Sequence, residues 1–419
     1  MQFNRRKMLS VLGIAGVSTV AGCSSSGDDR GPSPTSAENE NATTLLSEAV
    51  SGEPEKITAT DGDANDYFGR SVALSGDGTT AVVGAYYDED PNGPYSGSAS
   101  VFNYADGSWS REAKLAPGSG REREKFGISV DITEAGNTIL VGAYGDRSVG
   151  GDINVSGSAY VFTRTDSAWN LQTKLTPDES AQLFGRSVAL SSEGNIAVVG
   201  DNFDPDPNGE QGGSAYIFEN SGGSWNRISK LAASHGESGG RFGETVTISD
   251  DASTVIVGEP SLNSGTAYVF ARSGGTWQQQ TDFNLENGDY FGRILDVSGD
   301  GTAAIVGDEG AGVFAIFEKN GDSWSQQTSI SSDGRPSGAW IANDGKTAIT
   351  IAKNAAGKIY NFSGGSWNEN VIFAPDTEES SIYKESLSVA ETGNTVIIGD
   401  SQDDSVAENA GAAYIFADK

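Results

Sequence analysis

Apolar positions from residue 55 onward come in short runs separated by glycine-containing turns, and the runs have a fixed order. "SVALS" (71–75) alternates apolar and polar, as a half-buried strand does. "GDG" (76–78) follows; Asp-Gly tolerates the positive φ that a tight hairpin needs. "TAVVGA" (80–85) is an apolar run ending at Gly84, and a longer polar loop leads from it to "SASVFNY" (98–104). A turn at "ADGS" (105–108) and a last run, "WSREAKLAP" (109–117), complete the unit. The pattern predicts four antiparallel strands and no helical period.

The unit repeats. The Phe-Gly that opens it recurs with Gly69, Gly127, Gly185, Gly243 and Gly292; the first four copies are 58 residues apart and later ones lie closer. A sixth copy keeps Gly338 without the Phe, and a seventh has Tyr383-Lys384 in place of Phe-Gly. Four-stranded units at this period predict a β-propeller, here with seven blades. The last copy stops at "GAAYIFADK", one strand short, while "PEKITATDG" (54–62), ahead of the first Phe-Gly, matches the outer strand type. The spare N-terminal strand is therefore expected to complete the last blade, near Lys56 and Tyr414, closing the ring and removing an open edge. Phe68, Phe126, Phe184, Phe242 and Phe291 are expected in the core between blades. The once-per-repeat tryptophans (Trp109, Trp169, Trp225, Trp277, Trp324, Trp367) are also read as core filling.

Loop lengths break the regularity. Between the second and third strands the glycine-to-glycine offset is 12 to 15 residues in repeats seven, one, two and three, and 5 to 7 in repeats four and five. In a closed ring those four repeats are neighbours, so their long loops would form one crescent on one face, the place for a ligand. The crescent offers Tyr86, Tyr87, Asp146, Asp152, Asp201, Phe203, Asp400 and Asp403. Within it "DEDPNG" and "DPDPNG" place Asp88, Asp90, Asn92 and Asp204, Asp206, Asn208 at alternate positions before a Gly, a spacing that can wrap oxygens around calcium. Both lack an acid at the twelfth position, where Ala99 and Ala215 stand; solvated acidic turns are the competing reading. Calcium is the one candidate cofactor.

Charge changes the picture of partners. With 58 acidic and 27 basic residues the net charge is −31, spread over the whole chain. That excludes nucleic acid and anionic lipid headgroups as expected partners and fits a surface adapted to high salt. His235 is the lone histidine and Cys23 the lone cysteine, so there is no disulfide framework and no zinc spacing; phosphate-loop and nucleophile-elbow motifs are absent too. Carboxylate pairs for glycoside chemistry remain open among so many acids.

The first fifty residues read as an address. Arg5, Arg6 and Lys7 precede a mild apolar stretch, Met8 to Ala21, too short to span a bilayer. "NRRKMLS" resembles a twin-arginine export signal and "VAGC" (20–23) resembles a lipobox, in which Cys23 becomes the lipidated first residue. The domains expected are a leader, 1–22; a flexible Ser-, Asp- and Pro-rich tether, 23–52; and the propeller, 53–419. Asn41, Asn154 and Asn361 sit in Asn-x-Ser/Thr sequons.

Phe-Gly, Val-Gly-Ala and "GSAYVF…SW…KL" together resemble the FG-GAP repeat family over roughly residues 55–419, best in the first five copies. The resemblance implies the seven-bladed propeller of integrin α subunits, found also in bacterial and archaeal surface proteins, with a ligand face formed by the connections between second and third strands. One departure matters. Many integrin-type repeats carry a calcium loop between first and second strands. Here those places hold the short turns 75–79, 133–137, 191–195 and 249–253, too small for such a cage. The reading is an exported, lipid-anchored, monomeric, noncatalytic binding or adhesion protein of a haloarchaeal kind. It sits on the extracellular face of the membrane and has a surface glycan or protein as ligand. The alternatives are an envelope hydrolase or lyase and a structural envelope component.

Overall fold

A computed structural model describes residues 44–90, 92–117, 122–146, 157–166, 168–177, 182–205, 211–236, 238–261, 265–285, 288–353, 355–373 and 384–417. The leader 1–22, Cys23 and Asn41 lie outside them, as do Asp152, Asn154, Asp206 and Asn208. Among the described residues the strands form seven four-stranded sheets, each antiparallel and in simple meander order apart from the last. Blade 1 is Phe68–Leu74, Thr80–Ala85, Ser98–Ala105 and Ser108–Leu115. The seventh consists of Lys384–Val389, Thr395–Asp400 and Ala412–Ala417, and its outer strand is Glu55–Ile57, paired Lys56 to Tyr414. Inner strands of consecutive blades touch all the way round, blade 7 against blade 1 included, so the ring is closed as expected.

Each interface between the early blades is a dry apolar layer with one Phe-Gly phenylalanine at its centre. Phe126 packs among Val82, Val101 and Leu115 of blade 1 and Ile139 and Val141 of blade 2. Phe68, Phe184, Phe242 and Phe291 are equally buried. The glycine that follows each phenylalanine is needed for close approach. Gly127 has φ of +85°, and a Cβ on it would sit 2.1 Å from the carbonyl oxygen of Ser98 in the preceding blade. Gly84 meets Gly127 O in the same way, at 2.0 Å. At these paired glycines blade meets blade backbone to backbone, which accounts for the Phe-Gly and Val-Gly-Ala signatures. Ser71 Oγ donates across the same seam to Gly127 O (3.0 Å), and Ser386 Oγ to Gly69 O (3.1 Å) where the ring closes.

The tryptophans of the outer strands mostly flank these layers. Trp109 and Trp277 are buried, and Trp169, Trp225, Trp324 and Trp367 pack half-buried against the apolar clusters. A β-bulge recurs in the outer hairpin of blades 1 to 6, for example between Val101 and Phe102, and no residue pattern announced it.

The N-terminal boundary differs from the expectation. Residues 44–49, placed in the tether by their polar surroundings, form a helical segment whose Leu46, Ala49 and Val50 are buried. Leu46 and Val50 pack between blades 6 and 7, against Ile349, Ile351, Val396 and Phe416. Blade 7 lacks the Phe of Phe-Gly, and the helix supplies apolar side chains at that interface. Truncating Leu46 to Ala should therefore cost about 2–5 kcal/mol of stability, read as a lower denaturant midpoint with an unchanged slope. A loss below about 0.5 kcal/mol would show that the helix is not part of the core.

Candidate functional site: the loop-bearing face and the axial channel

The long connections of blades 7, 1, 2 and 3 lie on one face, and each is tied to the chain leading into the next blade. Tyr67 N donates to Asn409 O (3.1 Å), Lys125 N to Tyr95 O (3.2 Å) and Arg241 N to Gln211 O (3.1 Å). Short parallel bridges join Gly411 to Phe68, Gly97 to Phe126, Gly157 to Phe184 and Gly213 to Phe242. The described ends of these connections are thus fastened to the blades below them.

Six of the crescent's described acids turn inward. Asp88 is buried; its Oδ2 accepts from Ser98 Oγ (2.5 Å) and lies 2.7 Å from Lys114 Nζ. Asp146 takes Tyr160 OH and Lys174 Nζ, Asp204 takes Tyr216 OH (2.5 Å) and Lys230 Nζ (2.9 Å), and Asp403 takes Tyr414 OH (2.7 Å) and Lys56 Nζ (2.6 Å). The "AY" and "KL" of the repeat are the other two members of this Asp–Tyr–Lys set, with Ser98 serving in blade 1. Asp201 accepts three backbone N–H groups, from Gln182, Leu183 and Phe203, and burial pushes its carboxyl up to about 7. Asp400 is buried and accepts from Gln402 N.

These contacts bear on the calcium candidates, of which Asp206 and Asn208 lie outside the described residues. Asp88 and Asp204, the leading candidate ligand of each loop, are each paired with a lysine ammonium that a calcium ion would have to displace. Asp90 is exposed, and Asn92 Nδ2 donates to Pro117 O. No metal-holding group of three or more His, Cys, Asp or Glu occurs among the described residues. Asp146, Asp201 and Asp400 are likewise buried and bonded within the blades and loops. The aromatics are what the crescent presents: Tyr86 and Tyr87 gather with Tyr67 and the exposed Tyr95 around Lys125, whose Nζ lies 3.1 Å from the Tyr87 ring centroid. Burial pulls that ammonium down to about 8. Phe203 lies under Arg241 at 5.6 Å. Asn361 is half-buried on a strand of blade 6, and His235 is exposed beside Ser234.

The first strands line an axial channel with oppositely charged ends. On the loop-bearing side a cavity of about 370 Å³ is lined by Arg70, Arg186, Arg293 and Lys353, with Glu244 and Glu309 between them. Arg186 pairs with Glu244 (2.8 Å) and stacks over Tyr144 (5.8 Å); Arg293 pairs with Glu309 (3.3 Å). Burial would raise the Glu244 carboxyl, but the Arg186 charge, helped by Arg293 and Asn202, holds it below the usual range. Sequence reasoning missed this cluster, although its signal is plain: three of the five Phe-Gly pairs are followed by Arg.

At the other end, the turns between first and second strands, short as expected, bring Glu134, Asp250 and Glu391 from blades 2, 4 and 7 to a cavity of about 170 Å³ that also contains Asp131 and Asp296. Asp131 and Asp296 touch the channel yet are enclosed by protein, which raises both to about 7, even though Asp131 accepts from Leu190 N and Asp296 from Ile341 N. Glu391 is raised by burial and by the charges of Asp250 and Glu134.

Residues 52–102, 109–162, 169–218 and 225–270 match the FG-GAP repeat family. A search of curated proteins finds no match to the chain. A raised carboxyl stabilises the fold fully below its unfolded value and loses that contribution as pH rises through its folded value. Glu391→Gln should therefore melt like the wild type near pH 5 and above it near pH 9, in thermal scans at fixed ionic strength; a pH-independent difference would contradict the cluster. The chain is a seven-bladed β-propeller whose first four repeats match the FG-GAP repeat family.

Proposed function

We propose that this chain is a noncatalytic binding protein of the cell surface. It is exported by its leader, anchored through a lipid on Cys23, and attaches to a surface glycan or protein through the loop-bearing face. The observation that carries the reading is the crescent: four long connections on neighbouring blades, fastened at their described ends, with Asp88, Asp146, Asp201, Asp204, Asp400 and Asp403 bonded internally and aromatics at the surface. Long loops on a rigid scaffold are where binding residues concentrate, and the FG-GAP repeats support a binding or structural role in general. Half-exposed aromatic rings give contact area at low entropic cost.

Two measurements test this. Tyr95→Ser combined with Phe203→Ser should leave the thermal transition in place and weaken attachment to a glycan array or to intact cells at least tenfold, assayed in molar salt. Undiminished attachment would remove the crescent from the account. Cys23→Ala should move the protein from the membrane fraction to the soluble fraction; an unchanged partition would remove the anchor.

A further inference from the structure

We infer that the channel mouth on the loop-bearing side is a binding site for an acidic saccharide, its carboxylate or sulfate held by Arg70, Arg186 and Arg293 and its hydroxyls by the serine and threonine ring beneath. The inference rests on the binding role of that face and names the chemistry of what is bound.

Charge is the first argument. The chain carries a net −31, yet three guanidinium groups and an ammonium converge here from blades 1, 3, 5 and 6, with two carboxylates, Glu244 and Glu309, among the described lining residues. Four acids of the surrounding loops, Asp88, Asp146, Asp204 and Asp403, are already paired with lysines of the outer strands. Glu244 and Glu309 act on the arginines as braces. A guanidinium braced on one edge by a carboxylate keeps other N–H groups for a second oxyanion, in the fork geometry that suits carboxylate and sulfate. The opposite end of the channel, with its five acids, would repel the same ligand, so the channel is polarised toward this mouth.

Hydrogen-bond direction is the second argument, and it selects among anions. Six hydroxyls line the cavity; Ser187 accepts from Val246 N and Ser337 Oγ is buried with no partner among the described residues, and the other four are Ser71, Ser129, Thr245 and Ser386. Each spends its proton on the carbonyl of the next blade's Phe-Gly glycine: Gly127 (3.0 Å), Gly185 (3.3 Å), Gly292 (2.7 Å) and Gly69 (3.1 Å). Toward the channel they offer only acceptor lone pairs. A ligand matched to that ring must bring several donors along with its negative charge. A saccharide with an acid group does so; inorganic phosphate and an acidic peptide side chain bring an anion with few donors. A cavity of about 370 Å³ falls within the range of small-ligand sites, and Tyr144, beside Arg186, supplies a ring for a sugar face.

The test is titration calorimetry of the full chain in molar potassium chloride. The probes are digalacturonate, a galactose sulfate, neutral digalactose, inorganic phosphate and hexaglutamate. The two acidic saccharides show which oxyanion is preferred, and binding of either supports the site. Digalactose should bind at least tenfold more weakly. Arg70→Gln should weaken the acidic saccharide at least tenfold, as should Arg186→Gln combined with Glu244→Gln, which removes the ion pair without leaving a lone buried charge. The double variant decides the matter if Arg70→Gln does not fold. The inference is overturned if neutral and acidic sugars bind alike, if neither acidic sugar binds, if phosphate or hexaglutamate binds as tightly, or if the variants keep wild-type affinity. Its failure is separable from that of the loop face. A wild-type chain that adheres to surfaces but ignores free acidic saccharides keeps the loop face and loses this site; one that binds them without adhering does the reverse.

Discussion

Backbone-to-backbone contact between blades, made at paired glycines, is the constraint on which the rest of this molecule depends. Where the Phe-Gly glycine of one blade meets the glycine ending the second strand of the blade before, there is no room for a Cβ on either. That proximity brings a serine or threonine hydroxyl within reach of the next blade's carbonyl and sets the phenylalanine at the centre of each apolar layer. The seam also fixes where the inner strands stand around the axis, and hence which side chains meet in the channel. Ring closure repeats the same contact between Gly399 and Gly69, with Lys56 lying beside Tyr414 in the completing strand.

The interior uses charge differently from the surface. A strongly acidic chain must place some carboxylates where water is scarce, and here the loops pair them with a lysine on the outer strand and a tyrosine, or Ser98 in blade 1, on the third strand of the same blade. Each set is an ion pair at the edge of a sheet, sheltered on the acid side. Its value lies in holding a long loop to its blade more than in added stability. With those acids committed, the loop-bearing face is less negative than the composition suggests. Arginines at the channel mouth and aromatics on the rim then define what it can touch. The far mouth keeps several carboxyls close together, and proton uptake relieves their repulsion.

Repetition made the fold legible, because each strand signal was met several times and the missing outer strand of the last blade matched the spare one at Lys56. Single events were harder. The helix at 44–49 has one turn's worth of apolar residues in a polar setting, and only the absence of a phenylalanine in blade 7 hints that something must fill that interface. Asp88 and Asp204 fell in a spacing that suits calcium, and spacing along a loop does not say which cation faces it. Lys114 and Lys230 are 26 residues further on in each repeat, on a strand that brings them back to the loop. Arg70, Arg186 and Arg293 stand next to the most conspicuous motif, at a place where the other two Phe-Gly repeats carry Ile128 and Glu244. Their meaning depends on the ring, which places side chains from every other blade around one axis.

One matched pair of substitutions tests the seam most directly. Gly399 and Gly307 occupy the same position in their repeats, in "IIGD" and "IVGD". A Cβ at Gly399 would lie 1.9 Å from Gly69 O across the closing interface, whereas at Gly307 its nearest neighbour is the Ile294 side chain at 3.1 Å. Equilibrium denaturation should find Gly399→Ala destabilised by about 3 kcal/mol or more and Gly307→Ala by about 1 kcal/mol or less. Equal losses at the two positions would contradict the claim that the ring is closed by backbone contact at its glycines.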